Sequence, residues 1–153
     1  MEAGETVMIG AAPRFKGYSG CIGHTLPVSG TYTEAQKDII KYLQETFMIT
    51  KERLVLGASG IEIDKAGRAY YEKHGLMDYL VCPFAHTIGI MEAETPFFGP
   101  NGSETIKPGM TICIDVSFFG HPEFNGMRIE TGYYFTENGR VPFSPKMEEI
   151  LLR

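Results

Sequence analysis

KPGMTICIDVSFFG (residues 107–120) and GMRIETGYYFTENG (residues 126–139) are the two stretches on which the fold turns. Both are rich in β-branched and aromatic residues and bounded by turn formers, so residues 111–119 and 127–136 read as strands. Gly120, Pro122 and Gly126 separate them, and a further short strand begins after Asn138–Gly139. Asp115 lies in the middle of the first strand, where a buried carboxylate is costly unless a cation or strong donor meets it. Glu130 takes the equivalent place in the second, and Arg128 shares its face because strand side chains alternate with period two.

Upstream, residues 5–14 and 15–28 read as two strands of a hairpin, with Pro13 and Lys16–Gly17 supplying turn chemistry. Thr33 and Gln36 make a capping-box pattern, and Ile39, Ile40, Leu43 and Phe47 recur on one helical face behind it. A second helix runs from about residue 60 to 74, stopped by Gly75 after Lys73 and His74. Residues 80–90 are apolar with a short polar insert, and the Pro- and Gly-rich residues 95–109 read as a long loop. Without regular βαβ alternation this order is α+β, with a largely antiparallel sheet.

The chain of 153 residues is 43% hydrophobic, which fits one domain over residues 1–153. Its 14 basic against 19 acidic residues give a net charge of −5, which argues against a nucleic-acid partner. Apolar runs end well short of the roughly 20 residues that span a bilayer, so no membrane partner is expected. The opening MEAGETVMIG lacks the pattern of a secretory signal. Cys21, Cys82 and Cys113 are scattered and form no C-x-x-C pair, a usage that points to the reducing cytoplasm.

His86 sits in the apolar run CPFAHTIGI and, taken alone, reads as a core or loop residue. With Asp115 and Glu130 it makes an oxygen-plus-nitrogen set of the kind divalent metals take. An ion pair of Arg128 with the carboxylates accounts for the same residues without a metal, and spacing leaves both open. Cys21 and His24 read as a small buried hydrophobe and a strand-end residue. Neither a phosphate-binding loop nor a serine nucleophile elbow is present.

Three segments in order, KGYSGCIGHTLPVSGTYTEAQ, AHTIGIMEAETP and the opening pair of strands, resemble the creatinase, aminopeptidase P and prolidase family from about residue 4 to 145. The resemblance implies that family's pita-bread fold, here incomplete: a curved, mostly antiparallel sheet with two helices on its convex face, presenting Ile39, Leu43, Phe47 and Tyr70. It also implies a concave site where Gly10, Cys21, His86, Asp115 and Glu130 converge. In metal-dependent members, aspartates stand where this chain has Gly10 and Cys21, the proton-moving histidine where it has Ala93, and a glutamate where it has Asp115. His86 and Glu130 match retained ligands.

No organic cofactor is expected. The residual set, His86, Asp115 and Glu130 with Cys21 as a soft fourth ligand, could hold one divalent metal, and His86 and Arg128 are the expected substrate-binding residues. The chain starts just before the first-aspartate strand, so a longer chain or a homo-oligomer is expected to supply the family's first half. Two classes remain: a protein with a degraded metal site that binds a small peptide, small molecule or partner, placed ahead, and an active hydrolase of creatinase or Xaa-Pro dipeptidase type.

Overall fold

The computed structural model of the chain describes residues 1–123 and 125–153; Phe124, in the expected turn between the last long strands, lies outside the described residues. Strands β1 (Thr6–Ala11), β2 (Arg14–Phe15), β3 (Tyr18–Ser19) and β4 (Ile22–Pro27) lead into helices α1 (Glu34–Arg53) and α2 (Gly60–Lys73). Strands β5 (Ala85–Thr87), β6 (Glu94–Phe98), β7 (Thr111–His121), β8 (Asn125–Thr136) and β9 (Gly139–Pro142) follow, then helix α3 (Pro145–Leu151). The main sheet runs β1-β4-β8-β7-β5-β6, antiparallel at every pairing, with β9 beside β8.

Both long helices begin as their sequences require. The Thr33 hydroxyl accepts from the Gln36 N–H while the Gln36 side chain accepts from the Thr33 N–H, and Ser59 with Glu62 repeats the motif on α2. At the far end of α2, Gly75 takes φ 68°, the left-handed turn residue that ends a helix without a Cβ clash.

The two faces of the sheet have opposite characters because the strand period is two. One face carries Ile112, Ile114, Val116 and Phe118 of β7 and Met127, Ile129, Tyr133 and Phe135 of β8. It packs with Ile39, Ile40, Leu43 and Phe47 of α1 and Ile63 and Tyr71 of α2 into one apolar cluster. Each large side chain fully buried there contributes roughly 1.5–3 kcal/mol. The other face of the same strands carries Cys113, Asp115, Arg128 and Glu130.

Four expectations are corrected. The stretch 15–28 is not one strand: Lys16 (φ 51°) and Gly17 (φ 90°) form a two-residue turn closing the small β2–β3 hairpin, and β4 starts only at Ile22. The presumed loop 95–109 begins inside β6, a terminal strand whose Pro96 breaks the usual alternation. A third helix, α3, joins the expected two; Ser144 caps it and Pro145 opens it, but its buried set is Leu151 alone, too little for a periodic signal. Tyr70 is only half-buried beside Tyr42 and His74, while Tyr71 enters the core and packs edge-on against Phe84.

Candidate functional site

Strand register builds the site as parallel rows on the face away from the helices. Gly10 pairs with Gly23, Gly23 with Glu130 and Glu130 with Asp115, so these four positions line up across β1, β4, β8 and β7. One step along the strands, Gly132 pairs with Cys113 and Cys113 with His86, and Cys21, two residues before Gly23, comes to the same row. One step the other way, Arg128 pairs with Ser117.

Arg128 ties the carboxylates together. Its Nε donates to Asp115 Oδ1 at 2.8 Å and its Nη2 to Asp115 Oδ2 at 2.9 Å, a two-pronged pairing, and Nη2 also donates to Glu130 Oε2. Glu130 is fully buried, and its second oxygen, Oε1, lies 3.3 Å from His86 Nε2. His86 Nδ1 is 3.0 Å from the Thr87 carbonyl, which can only accept, so Nδ1 carries the proton. Nε2 and the carboxylate would then face each other as two acceptors unless a proton or cation lies between them. Burial lowers the basicity of His86, but the bond to Glu130, the Thr87 carbonyl and the nearby carboxylate charges outweigh it and hold its pKa above the ordinary value.

Burial and the charge of Glu130 push Asp115 up to about 6 against the pull of Arg128. Burial disfavours the charged guanidinium, yet Asp115 and Glu130 hold Arg128 firmly protonated. Arg128 with Asp115 and Glu130 thus closes an ion network, one of the two arrangements that spacing leaves open.

Cys21 and Cys113 are buried on this face, and with Glu130 they place three potential ligand atoms within 4.8 Å of one another; His86, Asp115 and Glu130 do the same. The Cys21 thiol donates to Glu92 Oε1 at 3.2 Å, and Arg128 Nη2 reaches the same carboxylate at 3.9 Å. The neighbouring Cys113, burial and Glu130 all push the Cys21 thiol up, so on its own it is neutral.

Cys113 and Glu92 were missed from sequence. The signal for Cys113 was available, since it stands two residues before Asp115 on the same face of one strand. Glu92 lies on a bend whose path toward Cys21 no local pattern reveals. His24 is on the opposite side of β4 from Gly23, paired with Ile9, and does not join the group.

A family model described as Metallopeptidase family M24 matches residues 1–137. The chain belongs to this family. It is 27% identical over 151 residues to a Xaa-Pro dipeptidase of Pyrococcus furiosus, covering 99% of this chain and 43% of the relative. To the peptidase YqhT of Bacillus subtilis, described as uncharacterized, it is 26% identical, covering 99% of this chain and 42% of the relative. Among solved structures, prolidase from Pyrococcus furiosus superposes with a TM-score of 0.85 at 26% identity, covering 100% of this chain and 42% of that one. Xaa-Pro dipeptidase from Bacillus anthracis superposes with 0.85 at 26% identity, covering 95% and 41%. This M24 chain therefore has the pita-bread architecture of its neighbours and spans about two fifths of their length.

A pair of hard divalent ions of the kind M24 peptidases use needs carboxylates that touch both ions. Gly10 offers no donor, and a Cβ built on it meets no atom within 4 Å, so nothing else fills that place. Cys21 offers sulfur, not oxygen, and both oxygens of Asp115 are engaged by Arg128. The residues present do not fit a two-ion, oxygen-rich centre. Among the described residues, no helix is long and apolar enough to cross a membrane.

Proposed function

We propose that this M24 chain is a divergent Xaa-Pro-peptidase-like protein whose site face holds a small peptide, small molecule or protein partner in the cytoplasm instead of hydrolysing it with a paired-metal centre. The observation that carries this reading is the fork of Arg128 on Asp115 and Glu130. It ties up the carboxylates at the place where the family's chemistry calls for ions. Amide hydrolysis needs an activated hydroxide and a proton donor to the leaving amine. Gly10, Cys21 and Ala93 stand at the positions where the resemblance calls for two ligands and the proton-moving histidine. On this reading His86 and Arg128, the imidazole and the guanidinium beside the carboxylates of this face, would meet the carboxylate end of a short peptide.

The test is hydrolysis of Xaa-Pro dipeptides and N-terminal Met peptides by the purified protein, with and without manganese, cobalt or zinc, beside calorimetric binding of the same peptides. Binding that Arg128→Met weakens, without turnover under any metal, is the expected outcome. Turnover abolished by chelator and by His86→Ala would establish the active-hydrolase alternative.

A further inference from the structure

The site face carries two sulfurs, Cys21 and Cys113, brought together beside Glu130. Between them lies Gly132, where a Cβ would come within 2.9 Å of Cys113 Sγ and 2.3 Å of the Phe143 ring. With no side chain there, thiols from strands on either side of β8 can meet above its backbone.

We propose that Cys21, Cys113, Glu130 and His86 form a single-ion site for a thiophilic divalent cation of the zinc type. The ligand atoms of Cys21, Cys113 and Glu130 already lie within 4.8 Å of one another. A Zn–S bond of about 2.3 Å would set two thiolates of one tetrahedral ion about 3.8 Å apart, a short closure from that spacing. His86 would join from the neighbouring group it forms with Asp115 and Glu130, Glu130 being common to both groups. Its Nδ1–H is committed to the Thr87 carbonyl, which leaves the Nε2 lone pair aimed at Glu130 Oε1 3.3 Å away. A histidine held by a backbone carbonyl behind it is the arrangement that orients metal-bound imidazoles. Two sulfurs, one nitrogen and one oxygen favour zinc over the magnesium or manganese that oxygen-only sites select.

Both thiols give up their protons on binding, which the positive ion makes favourable despite burial. Arg128 keeps Asp115 out of the set and holds the far oxygen of Glu130, so the ion would sit on the cysteine side of the row, away from the Gly10 position.

A disulfide is the competing use of two nearby thiols, and the sheet disfavours it. Cys21 and Cys113 are two strands apart, so their Cα atoms stand roughly 9.5 Å from each other by interstrand spacing. A disulfide closes only up to about 7 Å.

The inference accepts the loss of the two-ion centre from the reading above and adds an ion of different chemistry. Cobalt(II) is the probe, titrated into the reduced, chelator-dialysed protein and followed by absorbance, then displaced with zinc. A thiolate-to-cobalt charge-transfer band saturating at one ion per chain is expected. It should survive Asp115→Asn and Cys82→Ser, and Cys21→Ser and Cys113→Ser should each weaken binding by more than about tenfold, with circular dichroism confirming that both variants fold.

No band in the folded reduced protein would overturn the proposal, as would a band unchanged in both cysteine variants or a Cys21–Cys113 disulfide in the freshly isolated protein. Peptide turnover with manganese would instead refute the preceding reading and leave the thiolate band as the judge of this one.

Discussion

Replacing Arg128 with methionine keeps the length and the apolar stem of the side chain and deletes its charge. Three charge-assisted bonds go with it, two to Asp115 and one to Glu130. Hydrogen bonds to charged groups contribute about 1.5–3 kcal/mol each in isolation, but they share one guanidinium here and do not add. The cost is set by what remains: the Glu130 side chain, 0% exposed, and that of Asp115, 10% exposed, directly opposite each other in register. Breaking such a buried pair by removing one partner costs about 3–5 kcal/mol, a large part of the 5–15 kcal/mol typical of a whole domain.

The deficit should also depend on pH with a definite sign. Asp115 already sits at about 6 against the pull of the guanidinium, and losing that cation raises it further, so the variant's stability falls as pH rises from the unfolded value toward the folded one and recovers in acid. Urea denaturation of parent and variant at pH 7 and pH 5, with Arg128→Met/Asp115→Asn/Glu130→Gln as a charge-free control, measures both effects. A loss under about 1 kcal/mol at pH 7, or a loss that grows in acid, would refute the account of Arg128 as the cation that makes this face tolerable.

Restoring the family's donors in Gly10→Asp, Cys21→Asp, Ala93→His should raise manganese affinity above that of the parent by calorimetry, since Gly10 has open space for a carboxylate; equal or weaker binding would contradict the row geometry. Glu148 ties α3 to the core through Lys51 and Tyr133, whose bonds overcome burial and hold its carboxyl below the usual value. Its contribution is therefore present at neutral pH and lost as pH falls below the unfolded value of about 4.3. Glu148→Gln should cost about 1–2 kcal/mol at pH 7 and almost nothing at pH 3 in denaturant melts. Gly67→Ala gains about 1 kcal/mol of helix propensity but sets a methyl 2.6 Å from the Phe84 ring. Overpacking costs about 1–3 kcal/mol, so a lower melting temperature is expected, and a higher one would show that Phe84 can yield.

What could be read from the chain followed the strength of its local signals. The α1 cap and its stripe of Ile39, Ile40, Leu43 and Phe47 are short-range patterns repeated over several turns, and the structure buries all four. The facing of Arg128 and Glu130 followed from period two alone. The pairing of Cys113 with His86 and the glycine file Gly10–Gly23 depend on which strands become neighbours, information held in contacts far apart in sequence. Spacing left metal and ion pair undecided because both need the same acids on the same face; only the direction taken by the Arg128 side chain separates them. Strand β6 hid behind Pro96 and a register shift between His86 and Thr87, which erase the alternation that marks a strand.

The two ends of the sheet's main path are unequal in a way that bears on what can attach to them. At one end β6 carries a proline with no N–H to give and pairs irregularly with its neighbour. At the other, β1 is six residues of TVMIGA without proline or lysine, pairs with β4 in unbroken register, and leaves Met8 and Ile9 exposed at 45% and 49%. A strand added from outside would find a regular ladder of donors and acceptors only on the β1 side. The regular edge is thus the strand that also brings Gly10 to the site face, and the irregular one lies where the fold turns into its glycine-rich loop.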